Sequence, residues 1–207
     1  QVKAPTLVIH GADDPLVSVE GGKATARAIP GAKLKLFERM GHPMPRVSRA
    51  QADSHREQIT EASSRLFRER GVKGVSVADL MGAAGLTHGG FHGHFESKDA
   101  LAGLAVEHAF EQSAERWHKR VAAEHDAPAG RAVIVDRFLS PSNIKDVGTG
   151  CPSVAMATDV AREPADAAIR AAFHFGLEAL VGILSEVQSG PDAAARRGAA
   201  RADYATM

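Results

Sequence analysis

Residues 88–94 read HGGFHGH, three histidines and three glycines in seven positions. Two chemistries suit imidazoles at this density. His88 and His92 are four apart, the spacing that turns two side chains to one face of an α-helix and can ligate zinc. The same rings can also donate or accept hydrogen bonds at phosphates and base edges in a DNA groove. No cysteine is near and His94 lies off the face of the other two, so groove contact is favoured, and no metal or other cofactor is expected. Gly89 and Gly90 would each cost a helix roughly 1 kcal/mol relative to alanine. A bare backbone at the positive end of a helix can approach phosphate or base edges closely, which offsets that cost.

The flanking sequence supplies elements to hold such a segment. Ser54-His55-Arg56-Glu57 fits the S-x-x-E capping box, and Ile59, Ala62, Leu66 and Phe67 recur at helical spacing up to a stop at Gly71. Ser76-Val77-Ala78-Asp79 repeats the capping pattern, with Leu80, Met81 and Ala84 in a short second helix ending at Gly85. Thr87 is placed to cap a third helix, on which Phe91 and Phe95 stack towards a core. A connection of about three residues containing a glycine joins the second and third helices, as in a helix-turn-helix.

The stretch ITEASSRLFRERGVKGVSVADLMGAAGLTHGGFHGHFESKDAL resembles the DNA-binding domain of the tetracycline-repressor (TetR/AcrR) family. The resemblance implies that Ser76 caps the second helix against a phosphate and that Thr87, His88, Gly89 and Gly90 face the groove. It puts His92 where the family has a phosphate-contacting tyrosine, with His94 and Lys98 at further backbone contacts. Ser97 then caps a long fourth helix running through Leu101, Leu104, His108 and Trp117. In the family that helix leads into a ligand-binding body, for which Phe110, Trp117, Phe138, Cys151, Met156 and Phe173 are the candidate pocket residues, with Phe175 beside them. The implied function is a ligand-responsive transcriptional regulator, expected to be a repressor and not an enzyme. Its partners would be double-stranded operator DNA with an inverted repeat and an unidentified small-molecule effector. The intact parent is expected to be a homodimer built on two closing helices, with this chain ending inside the first of them.

The N-terminal segment reads differently. APTLVIH, VEGGKATARAI and AKLKLFE give strand, helix, strand, a βαβ unit. It resembles the C-terminal end of an α/β-hydrolase, which would make Asp14 the catalytic acid and His42 the catalytic histidine. No G-x-S-x-G nucleophile elbow occurs in the chain, so these are relic positions with nothing to activate. An alternative reading makes the chain the tail of a hydrolase fusion whose catalytic half lies upstream. Another is a helical module retaining only ligand binding or dimerisation.

The expected architecture is thus mainly α. Residues 1–45 form the hydrolase-like βαβ fragment, 46–53 a polar linker, 54–100 the helix-turn-helix domain, and 101–207 a C-terminally incomplete helical body. Composition agrees with a soluble globular chain, 44% hydrophobic and 24% charged. A lone cysteine, Cys151, fits a reducing cytoplasm. No apolar run reaches the roughly 20 residues of a membrane span, so no membrane partner is expected. Lys plus Arg and Asp plus Glu are both 25, so DNA has to be met by local geometry rather than bulk charge. Gln1 at the start and the helical pattern running to Met207 read as an excerpt of a longer protein.

Overall fold

The computed structural model describes residues 4–41 and 48–207, apart from the side chain of Ile144. These form two compact units, up to Ser48 and from Arg49 onward. In the first, β1 (Leu7–Gly11) pairs in parallel with β2 (Lys33–Phe37), Leu7 opposite Lys33 and Gly11 opposite Phe37. The crossover is α1 (Val19–Ala28), whose cap Ser18 accepts from the Gly21 amide. The βαβ topology expected from the apolar runs is therefore present. Asp14 has a structural task in it: its Oδ1 accepts from the amides of Leu16 (2.8 Å) and Val17 (3.1 Å), closing the turn after β1. His42 lies outside the described residues.

The second unit is helical. It begins with α2 (Arg49–Arg70), five residues before the expected cap, so Arg49 to Asp53 belong to the helix and not to a linker. Arg, Ala and Gln are good helix formers, and they carry the helix through the S-x-x-E pattern. Ser54 Oγ accordingly accepts from Gln58 within the helix instead of capping it. Next comes α3 (Val77–Ala83), closed at its start by a complete capping box between Ser76 and Asp79. At its end Gly85 takes φ +72°, a left-handed conformation that suits glycine. The Leu86 amide bonds to Met81 O (2.8 Å) and the Gly85 amide to Gly82 O (3.0 Å), a Schellman stop that turns the chain sharply into the next element.

That element, His88–Gly93, is a 3-10 segment and not the α-helix expected. Three glycines in six residues weaken the longer α-helical hydrogen-bond ladder, whereas 3-10 turns are common as short pieces. Thr87 makes no side-chain cap bond to it. Phe91 and Phe95 are buried as expected, their ring centroids 5.8 Å apart, and they join Ile59, Phe67, Leu80, Met81 and Leu101 in the core.

The body hangs on α4 (Lys98–Val121), capped by Ser97 through the Ala100 amide (3.0 Å). It continues with α5 (Ala127–Phe138), α6 (Pro141–Lys145), a 3-10 turn at Val147–Thr149, α7 (Pro152–Ala161), α8 (Ala168–Glu186) and α9 (Ala193–Thr206). The seam between α4 and α8 is tight. An added Cβ at Gly176 of α8 would lie 2.2 Å from Phe110 Cγ of α4, and the Phe110 ring is further fixed by an edge-to-face contact with Phe173 at 5.3 Å. By length and mean apolarity α8 alone among the described helices could cross a membrane, though Arg170, His174 and Glu178 interrupt it, so no continuous apolar run of that length is present in it. In this fold it serves as a core helix, burying Ile169, Leu180, Val181, Ile183 and Leu184.

Candidate nucleic-acid interface

The capping box and the Schellman stop fix the two ends of α3, and through them the entry of the chain into residues 88–93. The other end of the segment is tied back to α2. Arg56 donates from Nη1 to His94 O and lies 4.6 Å over the Phe95 ring, a cation–π contact, while His55 meets the His94 ring edge-on at 5.7 Å.

Between these anchors Thr87, His88, Gly89 and His92 are exposed, and Gly90 is half-buried. His92 leans edge-on against Phe91, with ring centroids 5.3 Å apart. His94 and Lys98 are half-buried, and His94 packs on His55 rather than projecting freely. Ser76 is exposed, but its hydroxyl and amide both serve the Asp79 carboxylate, which they hold below the usual carboxylate range. The helix start therefore carries a negative charge of its own. Ser76 acts there as a cap more than as a free donor.

The two central glycines are not required by the protein's own packing. An added Cβ at Gly89 would meet open space, and one at Gly90 only ordinary contact with Met81 at 3.6 Å. Neither has a positive φ. The 3-10 winding also changes the metal argument, because at about three residues per turn His88 and His92 are rotated roughly a third of a turn apart instead of facing together. Among the described residues no group of three His, Cys, Asp or Glu side chains is placed to hold a metal ion.

Of the residues considered for the effector pocket, Trp117, Phe138 and Cys151 meet at one small cavity of about 70 Å³, enclosed by α4, α5, α6 and the 149–151 turn. Phe138 and Cys151 also line an adjoining cavity of about 370 Å³. Phe110, Met156 and Phe173 line neither. Phe110, sealed in the α4–α8 seam, and Met156 of α7 are core, and Phe173 packs on Phe110; Phe175 is 72% exposed on the opposite side of α8. The sequence reading missed Arg116, Arg120 and Arg137 at the smaller cavity. Basic residues four apart on α4 look like a solvated face until residues 137–151 fold over them.

Cys151 Sγ lies 3.0 Å from Ser153 Oγ and 3.5 Å from the Tyr204 hydroxyl. Burial and the neighbouring Cys151 push the Tyr204 hydroxyl's pKa upward, so it stays protonated and able to donate. Head and body are joined by buried Arg68 of α2, whose guanidinium donates to Ser64 O (3.1 Å) and to Gly150 O (3.3 Å) in the turn beside Cys151. Burial, then repulsion from Arg116, lowers its pKa to about 10, so it remains charged at neutral pH. Asp159 of α7 adds a second link, accepting from the Val72 amide at 2.7 Å.

Residues 59–104 match the family model of bacterial regulatory proteins of the tetR family. Over 55 residues the chain is 38% identical to the HTH-type transcriptional repressor DhaR of a Mycobacterium species, covering 27% of this chain and 28% of DhaR. It is 40% identical over 58 residues to the HTH-type transcriptional regulator TtgR of Pseudomonas putida, covering 28% of each. These alignments span little more than a quarter of either relative. The fold likeness reaches further. A crystal structure of a TetR-family transcriptional regulator from Cytophaga hutchinsonii superposes with a TM-score of 0.64 at 21% identity, over 74% of this chain and 80% of that one.

Proposed function

We propose that this chain, which carries a tetR-family helix-turn-helix over residues 59–104, is a ligand-responsive transcriptional regulator of the cytoplasm, acting as a repressor. The observation that carries the reading is the pair Gly89 and Gly90, exposed or half-exposed and unneeded by the fold, between the imidazoles of His88 and His92. That surface suits close approach to phosphates and base edges, with Thr87 and the two rings as hydrogen-bonding groups. The neighbouring cavities are the candidate effector site. Occupation there would bear on the turn holding Gly150 and, through Arg68, on the angle of α2 and the reading segment.

Ala171, Phe175 and Ala179 form an exposed apolar stripe on α8, available for a homodimer contact. A two-fold dimer reads an inverted repeat with half-sites about one helical turn apart or a small multiple of it. The test is capture of genomic fragments by the intact protein, followed by footprinting of the recovered sites. A symmetric footprint is expected; absence of any preferred fragment at moderate salt would count against the regulator reading. The resemblance of residues 1–45 to a hydrolase is one of sequence, and Asp14 closes the turn after β1.

Binding is also expected to depend on pH. Histidine side chains ordinarily titrate near about pH 6.5, and a phosphate alongside favours the imidazolium. Protons are then taken up on binding, so affinity is greatest at low pH and falls as pH rises. Between pH 6 and pH 8 the operator affinity should drop by roughly threefold to tenfold, and by much less in the double variant His88→Gln/His92→Gln. Titrations at several pH values for both proteins check this; identical profiles would remove the two rings from the interface.

A further inference from the structure

We propose that the paired cavities beside Cys151 receive an organic oxyanion, a carboxylate or phosphate monoester on an apolar body, with its head held by Arg116, Arg120 and Arg137. This rests on the effector reading above and gives that effector a chemical class.

The small cavity collects three guanidinium groups, from two positions one turn apart on α4 and one near the end of α5. Among the described residues none of the three forms an ion pair with a carboxylate. Asp146, whose charge reaches Arg116 and Arg137, has its carboxylate on Thr149, accepting from Oγ1 (2.6 Å) and from the amide (3.3 Å). Arg116 donates to Ser113 Oγ (2.9 Å) and Thr149 O (3.1 Å), and Arg137 donates to Ser140 and Ser142, so both are steered by neutral acceptors. Arg120 makes no side-chain hydrogen bond among the described residues. Burial, and after it the neighbouring guanidinium, lowers the pKa of both Arg116 and Arg120. Three like charges meet at one half-enclosed site, two of them, Arg116 and Arg120, partly buried and Arg137 at its exposed rim, an arrangement whose repulsion an entering anion would relieve. The planar guanidinium fork matches carboxylate and phosphate geometry.

Size and surroundings specify the rest of the ligand. About 70 Å³ admits an oxyanion head and little more. The cavity shares Phe138, Asn143, Gly150 and Cys151 with the 370 Å³ one, whose further lining includes Leu139, Val147, Val154 and Ala155. Leu139, Val147 and Val154 are 59%, 45% and 72% exposed, apolar surface that a hydrocarbon body would cover. A cationic inner end opening into an apolar outer one fits an anionic amphiphile. A free inorganic anion would use only the first part and a neutral hydrophobe only the second.

Trp117, the chain's single tryptophan, lines the inner cavity and reports its occupation by fluorescence. The full chain would be titrated with decanoate, decyl phosphate, 1-decanol and inorganic phosphate. Saturable fluorescence changes are expected for decanoate and decyl phosphate, whichever binds tighter naming the head, with 1-decanol weaker by at least about tenfold. Arg120→Gln should weaken both anions by roughly tenfold to a hundredfold and leave 1-decanol unchanged. Among the described residues the Arg120 side chain makes no hydrogen bond or ion pair, so thermal melting of this variant should match the parent; should it not, Arg137→Gln replaces it. Equal affinity for decanol and decanoate, or anion binding unmoved by the arginine variant, overturns the anionic head. Inorganic phosphate binding as tightly as decyl phosphate overturns the apolar body. The fluorescence titration needs no DNA and the fragment capture needs no anion. Failure of the first with success of the second therefore sinks this inference alone, and the converse sinks only the regulator reading.

Discussion

Changing Gly89 and Gly90 together to alanine is expected to weaken operator binding by about two orders of magnitude while leaving the fold as stable as before or slightly more so. The opposite signs are the point of the experiment. Inside the protein, the added methyl groups meet open space at Gly89 and an ordinary contact with Met81 at Gly90. Replacing glycine by alanine where the backbone already suits it stabilises by about 0.4–1 kcal/mol, because the unfolded chain has fewer conformations to lose. Outside, each methyl would stand between the backbone and the DNA, and losing a close base or phosphate contact costs roughly 1–3 kcal/mol. Thermal melting and operator titration on the same preparation separate the two effects. Unchanged DNA affinity in the double variant would take the glycines out of the interface and leave them without a physical account.

Gly176→Ala should act in the reverse manner, lowering stability without touching the reading segment. The new methyl group would fall 2.2 Å from Phe110 Cγ, and Phe110 is buried with Phe173 against its edge. Overpacking of this kind costs about 1–3 kcal/mol. In a chain of this length that corresponds to a fall in melting temperature of roughly 3–10 °C. The double variant Gly176→Ala/Phe110→Leu should cost less than the sum of its single changes, since the smaller side chain leaves room for the methyl. Strict additivity of the melting shifts would show that α4 and α8 do not meet as closely as described.

These contrasts also indicate which parts of the molecule local sequence reports. Ser76, Ser97, Gly71 and Gly85 were legible because a cap or stop is decided within four or five residues. Phe91 and Phe95 were legible because burial of the segment depends on their spacing. Ser54 misled because a capping pattern inside a run of good helix formers has no free helix end to cap. The winding of residues 88–93 escaped because propensity ranks residues and does not choose between α and 3-10 turns in so short a piece. The arginine-lined cavity was hidden for a different reason. Arg116 and Arg120 lie on one helix, Arg137 on another and Gly150 in a turn, and only tertiary folding brings them together. Phe110 and Met156, read from residue type as pocket lining, are core, Phe110 because the bare backbone of Gly176 lets α8 settle against it.

The tethering of the reading segment by Arg56 bears on how quickly such a protein could find its target. With one end of residues 88–93 fixed to α2 and the other fixed by the Schellman turn, little of the segment has to become ordered when DNA arrives. On the regulator reading the encounter would therefore not wait on folding. At the same time residues 88–93 offer imidazoles and no lysine or arginine, on a chain of zero formal net charge, and fixed cations are what retain a protein on arbitrary DNA. Visits to wrong sequences would be brief, with little sliding between neighbouring sites and frequent return to bulk solution. Search would proceed mainly by repeated three-dimensional collisions, each tested at once by a surface already in shape.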